Sequence, residues 1–287
     1  MDSKLLTSIA VSTRKKSNST LSDKRMKEQA LALRLDDPGA SSKRYEVYSD
    51  HRWNIKGIHI SANWLFLKYM QPFKKWGPYR EMRGSEWFEV FDILQRHDAR
   101  LTVAVTATWV VDKNRLIPFN QRFPEEAAAL KEGMQQGLIE IANHGLTHCV
   151  LQDNLFKPKL FEGNRQYHRE FWDWLPLELH EEHIQRSQEI LQSFFETDVV
   201  TFVPPGNVYN EATLEIAMRY GLRYLSCQTT PGSSNSLLVL GNENTIPFHD
   251  RELVLYGVDW LDKLLTNHSE TDFGFVRELG SQKVPGN

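Results

Sequence analysis

A chain of 287 residues with 40% hydrophobic and 11% aromatic side chains can bury a substantial core, and its length suits one large barrel-type domain better than two ordinary ones. A formal net charge of -3 gives no electrostatic footprint for nucleic acid or an anionic membrane, and no apolar run reaches the length of a membrane span. The two cysteines, Cys149 and Cys227, lie in apolar strand-like settings and read as reduced core thiols rather than a disulfide framework.

Residues 1–25 are rich in Ser, Thr and Lys, with a short apolar patch from Leu5 to Val11 followed by Arg14, Lys15 and Lys16. The apolar region is too short for a signal peptide and the basic residues lie on its wrong side. The expectation is a flexible arm on a cytoplasmic protein, with a single domain over 26–287. Ala30 to Leu35 is strand-like and delivers Asp36 and Asp37. Residues 38–80 read as a long aromatic-bearing insertion, with a brief strand at Ile58 to Ile60. Glu86 to His97 has helical spacing, with Trp87, Val90, Phe91 and Leu94 on one face. Leu101 to Trp109 carries no charge and is expected to be one strand covered on both faces. Glu125 to Gln136 reads as a helix closed by Gly137, ahead of a strand from Leu138 to Ala142.

Residues 150–178 form a second insertion-like stretch, with Phe156, Phe161, Tyr167, Phe171, Trp172 and Trp174. Its aromatic residues, like those of 53–79, read as insertion packing as readily as a sugar-stacking wall. His180 to Phe195 and Asn210 to Tyr220 are expected helices. Short strands are expected at Val199 to Val203, Tyr224 to Cys227, Ser236 to Leu240 and Thr245 to Phe248. A last strand from Leu253 to Val258 and a helix from Trp260 complete the reading. Alternation of this kind argues for a parallel sheet closed or nearly closed by helices, with active residues at the carboxyl ends of the strands.

The strand ends carry the chemistry. After Leu138–Ala142 come Asn143 and two histidines, His144 and His148. Taken alone, such a pair reads first as two surface histidines. If the chain turns helical there, however, the two rings project from one side and can share a metal ion. The adjacent carboxylates Asp36 and Asp37, at another strand end, supply a hard oxygen ligand and a possible base. A His, His, Asp set with open coordination positions is the pattern of a catalytic zinc. Pro204, Pro205 and Gly206 follow a third strand and His249 a fourth.

In order and spacing these motifs resemble the NodB-type polysaccharide deacetylases, a group of metal-dependent carbohydrate esterases. Leu35-Asp36-Asp37 resembles the family's Asp-Asp motif and His144-Gly-Leu-Thr-His148 its His-x-x-x-His motif. Phe202-Val-Pro-Pro-Gly206 resembles part of the third motif, and Pro247-Phe248-His249 the final histidine motif. The resemblance implies a distorted (β/α) barrel of about seven parallel strands and a divalent metal, with zinc the first expectation. It implies a reaction that removes an acetyl group from an N-acetylated sugar. By the same resemblance Asp36 is the base, Asp37, His144 and His148 bind metal, and His249 is the acid. Pro205 and Gly206 are the implied substrate-facing positions.

Two departures stand out. The third motif lacks the arginine that braces the base, leaving Arg34 or Arg223 as candidate cations. No Asp and Trp pair precedes His249 to steady it, and Asp250 could do so only if the local turn allows. Three functions therefore compete: a deacetylase of N-acetylated sugars, an amidohydrolase of another small amide such as a formamido sugar or ureide, and an inactive carbohydrate-binding relative. The missing arginine is the best argument for the last.

Overall fold

The computed structural model describes residues 30–44, 52–61, 80–151, 169–228 and 238–283. The expected arm at 1–25 and most of the two aromatic-rich stretches lie outside the described residues. The first strand, β1 (Leu31–Asp36), is buried on both faces after its first residue. Its alternation divides the molecule: Leu33 and Leu35 join the main hydrophobic core, whereas Ala32 packs with Val276 and Leu279 inside the barrel. A small antiparallel hairpin follows, β2 (Arg52–Ile55) and β3 (Ile58–Ser61).

Helix α1 (Gly84–Arg96) opens with the Glu86 carboxylate accepting the Arg83 N–H at 2.8 Å. Its stripe of Trp87, Val90, Phe91 and Leu94 is buried against the sheet, as the helical spacing predicts. Next comes β4 (Leu101–Val105), then a hairpin of β5 (Thr108–Asp112) and β6 (Arg115–Pro118). The single strand expected over Leu101–Trp109 is therefore two elements. The break has a cause: the Thr106 N–H leaves the ladder to reach the Pro38 carbonyl (2.9 Å), and those of Ala107 and Thr108 reach Gly145 (3.0 Å) and Leu146 (2.9 Å). One short segment thus ties two functional loops together.

A short turn of helix, α2 (Phe119–Arg122), leads into α3 (Pro124–Gln135) and β7 (Ile139–Asn143). The long helix α4 (Leu177–Phe195) precedes β8 (Thr201–Phe202), α5 (Glu211–Arg219) and β9 (Tyr224–Ser226). Ile184 of α4 and Leu214 of α5 pack with Phe171, Phe202 and Leu225 into a second core. The chain closes with β10 (Leu238–Leu240), β11 (Thr245–His249), α6 (Asp250–Tyr256), α7 (Asp259–Thr266), β12 (Phe273–Gly274) and α8 (Val276–Lys283). Leu253 to Val258, expected to be a strand, belongs largely to α6. Glu252 accepts the His249 N–H at 2.8 Å and starts a helix where an apolar run suggests an extended segment.

Seven strands run parallel in the order β10-β9-β8-β7-β4-β1-β11, with β12 added beside the start of β1. This is the expected distorted barrel, open between β10 and β11 among the described residues. Helix α8 floors it, packing on β1, β9 and β10. There the Val276 N–H reaches Thr102 Oγ1 (3.0 Å), and buried Glu140 accepts the Thr102 hydroxyl (2.8 Å) and the Arg277 N–H (3.3 Å). Because the strands are parallel, Asp36, Asn143, Phe202 and His249 all finish at the opposite end. No helix among the described residues is long and apolar enough to cross a membrane.

Candidate metal centre and active-site cleft

The loop after β7 is not the helical turn expected for residues 144–148. It is an irregular bend in which Gly145 and His148 both take left-handed backbone, with φ of 78° and 56°. A buried carboxylate shapes it. Glu170 accepts the backbone N–H groups of Leu146 (2.9 Å), Thr147 (3.2 Å) and His148 (2.9 Å), and His183 Nδ1 lies 2.6 Å from it. A Cβ on Gly145 would sit 2.1 Å from Glu170 Oε2, so only glycine lets the carboxylate in. Burial alone would raise the Glu170 carboxyl, but the His183 charge and these hydrogen bonds outweigh it and hold it below the usual range. Sequence reasoning misses Glu170, which no motif or spacing sets apart from Asp153, Glu162, Asp173 and Glu178 in the same stretch.

The loop after β1 is braced from beneath. Asp37 takes φ 83° and Gly39 φ 83°, and a Cβ on Gly39 would approach the Thr106 carbonyl to 2.5 Å. Lys43, fully buried, donates to the Asp37 carbonyl (3.1 Å) and ion-pairs with Glu81 (2.7 Å) and Asp250. Glu81 in turn accepts the Gly39 N–H at 3.3 Å. Burial pushes the Glu81 carboxyl up to about 7 despite Lys43 beside it, as expected where two carboxylates share one ammonium. Among the described contacts Asp250 pairs with Lys43 and makes none with the His249 ring.

These two loops bring Asp37, His144 and His148 together, with ligand atoms all within 4.8 Å of one another. Asp37 Oδ1 lies 3.4 Å from His144 Nε2 and 3.2 Å from His148 Nε2. The other ring nitrogens are engaged: His144 Nδ1 donates to the Val203 carbonyl (2.6 Å), and His148 Nδ1 lies 2.9 Å from Ser42 Oγ. A carbonyl can only accept, so His144 carries a proton on Nδ1, and Nε2 is the ring nitrogen turned toward Asp37. Burial would raise the Asp37 carboxyl, but hydrogen bonds from His144 and His148 hold it well below the usual range. An ionised oxygen and two aimed imidazole nitrogens form a donor set that fits a divalent cation such as zinc.

Asp36 stands beside this set. Arg34, two residues earlier on the same face of β1, forks onto it, with Nε to Oδ1 at 2.9 Å and Nη2 to Oδ2 at 2.8 Å. Its Nη1 donates to Ser226 Oγ at 2.9 Å. The cation missing from the third motif is thus supplied from β1, whereas Arg223 takes no part among the described contacts. His249 is the register partner of Asp36 across β1 and β11. Burial lowers its pKa, but the Asp37 charge and a Glu252 hydrogen bond outweigh that and raise it to about 9. Glu252, 3.5 Å from Nδ1, is the orienting carboxylate that no motif announces.

A cavity of about 290 Å³ opens above these groups. Asp36, Asp37, His144, His148 and His249 line it together with Gly206, and Arg169, Asn207 and Arg251 add three polar side chains that sequence reasoning passes over. Gly206 lines the cleft directly, as does Pro204, whereas Pro205, the other expected substrate-facing position, is buried and does not line it.

A family model described as polysaccharide deacetylase matches residues 78–225, just over half of the chain. The chain belongs to the polysaccharide deacetylase family. The matched stretch holds His144, His148 and the Pro204–Gly206 strand end, while Asp36, Asp37 and His249 lie outside it and stand on geometry. Among solved structures, the chain is similar to the wild-type CE4-family pseudoenzyme from Bacillus anthracis, at 11% identity over 88% of this chain and 65% of that one, with a TM-score of 0.45. It is similar to the Xyl-CE4 domain of a multidomain xylanase from the hindgut metagenome of Trinervitermes trinervoides, at 15% identity over 90% of this chain and 93% of that one, with a TM-score of 0.46. A family 4 carbohydrate esterase from Streptomyces lividans, in complex with acetate, matches at 13% identity over 86% of this chain and 92% of that one, with a TM-score of 0.43. The chain spans about two thirds of the length of the pseudoenzyme. No curated protein matches.

Proposed function

We propose that this deacetylase-family protein is a divalent-metal-dependent hydrolase that removes the acetyl group from an N-acetylated sugar or polysaccharide. The observation that carries the reading is the convergence of Asp37 Oδ1, His144 Nε2 and His148 Nε2 beside an arginine-clamped Asp36. Asp37, His144 and His148 would hold the ion, with zinc the best match to two imidazoles and a carboxylate. A divalent cation there supplies polarisation of the amide carbonyl and a water acidified to about pKa 7.

The chain's own groups do the proton work. Asp36, aimed by the Arg34 fork, takes a proton from the attacking water as its oxygen bonds to the acyl carbon. His249, on the neighbouring strand, gives a proton to the nitrogen as the carbon–nitrogen bond breaks. Water and amide become acetic acid and amine. One water proton passes to Asp36, and the other stays on the new carboxyl group until it ionises to acetate. The proton taken up by Asp36 balances the one His249 gives to nitrogen. Glu252 keeps the His249 ring turned and favours its charged form. An inactive relative would lack a cation on the base, and here Arg34 supplies one from another position.

The test is acetate release from a panel of N-acetylated sugars and oligosaccharides by protein stripped with chelator and then reloaded with zinc. Release from at least one member, only after reloading, is expected. Release of formate or ammonia from a formamido sugar or ureide instead would move the substrate to another small amide. Zinc-loaded protein that hydrolyses no amide would overturn the reading.

A further inference from the structure

Arg169 is a cation built into the cleft without an evident task in amide hydrolysis. Its guanidinium lies over the Trp172 ring, 5.6 Å from the centroid, and it has no carboxylate partner among the described residues. The placement is constructed from both sides. Its neighbour Glu170 is anchored by the hydrogen bonds that shape the histidine loop. On the other side its stem runs across Gly206, where a Cβ would meet Arg169 Cγ at 2.7 Å and Nε at 2.8 Å. Gly206 has φ 61°, so a side chain there would be doubly disfavoured, and the missing Cβ is the room the arginine uses.

The charges around it sharpen the point. Asp36 is neutralised by Arg34, while Arg251 joins Arg169 in the cavity lining and His249 shares Glu252 with Arg251. A neutral acetamido sugar offers hydroxyls and an amide, which need no guanidinium. A planar fork of N–H donors stacked on an aromatic ring matches a carboxylate or a phosphate.

We propose that Arg169 binds an anionic group, a carboxylate or a phosphate, carried by the substrate close to its scissile amide. This deepens the hydrolase reading above and rests on it. The probes are N-acetylglucosamine, its 1-phosphate, its 6-phosphate and its 6-carboxylate, compared by kcat/KM with zinc-loaded protein. At least one charged probe should exceed the neutral sugar by tenfold or more, and whether phosphate or carboxylate leads identifies the source of the charge. Arg169→Gln should bring that ratio to within about twofold, and Arg169→Lys should restore part of it. A wild-type ratio near one, or an equal loss on all four probes in Arg169→Gln, overturns the proposal in favour of a packing role.

Calorimetric binding of the same probes to zinc-loaded Asp36→Asn protein separates the two readings. Charged probes that bind tighter than the neutral one in an Arg169-dependent way, with no turnover by the wild type, would uphold the anion site and sink the hydrolase reading. Turnover without charge preference would do the reverse. Because the wild-type ratio alone can refute the anion site, a poorly folding variant does not shield it.

Discussion

Replacing Glu170 by Gln tests whether one buried carboxylate holds the metal-binding loop in shape. The substitution keeps size and removes charge. Its Oε2 accepts from Thr147 and His148, while Oε1 takes Leu146 and faces His183 Nδ1. An amide nitrogen at either place confronts N–H donors with another donor. One or two buried N–H groups then lose their acceptor, at about 1–3 kcal/mol each, for a total of roughly 1–6 kcal/mol. At about 2 °C per kcal/mol for a domain of this size, Tm should fall by about 2–12 °C in a thermal scan. Zinc affinity should fall with it, because His148 takes its left-handed turn within the same hydrogen bonds. The pH dependence has a definite sign. The folded Glu170 carboxyl lies below its ordinary value of 4.5, so its contribution is present above that value and is lost as pH falls through the folded pKa. The wild type's advantage over Glu170→Gln should therefore be full at neutral pH and shrink below about pH 4.5. A variant with wild-type Tm and wild-type zinc affinity at pH 7 would refute the reasoning.

Three further outcomes follow from the proposed roles. Asp36→Asn should lower kcat by about 10²–10⁴ yet keep its metal by elemental analysis; loss of metal there, with retention in Asp37→Asn, would exchange the two roles. Arg34→Met leaves Asp36 buried without its cation and should cost about 3–5 kcal/mol in denaturant unfolding, as well as activity; unchanged stability would show that the fork is dispensable. His249 must be protonated to act as the acid, so kcat/KM should fall as pH rises through its pKa, which stands at about 9 with Asp37 uncompensated. A cation on Asp37 removes part of that support, which places the falling limb below 9 in loaded enzyme. His249→Ala should lose this limb and be less impaired on an activated ester than on an amide, whereas equal losses on both would point to a structural role.

The strand ends are legible in the sequence because parallel strands read as short, largely apolar runs, and the runs here stop at Asp36, Asn143, Phe202 and His249. Arg34 is legible too, since residues two apart share a strand face and Asp36 is its neighbour on that face. Local pattern fails where distant groups override it. His144 and His148 meet through a loop wound on Glu170, so the i, i+4 spacing points to the right partners by the wrong geometry. The break after Val105 is set by the Pro38 and Gly145 carbonyls, which no window around Leu101–Trp109 contains. Lys43, Glu81 and Asp250 are far apart in sequence, and their buried ion cluster leaves no periodic trace. The Leu253 to Val258 run looks extended by composition, but Glu252 at the third position of α6 is a capping signal that could have corrected it.

The proposed chemistry requires an ion between the two loops. Anomalous diffraction at the zinc edge, from crystals of protein stripped and reloaded with one equivalent of zinc, locates it directly. The predicted result is one peak per chain, about 2.0–2.2 Å from Asp37 Oδ1, His144 Nε2 and His148 Nε2. Zinc bound elsewhere, or two imidazoles still hydrogen-bonded to Asp37 with no peak between them, would contradict it.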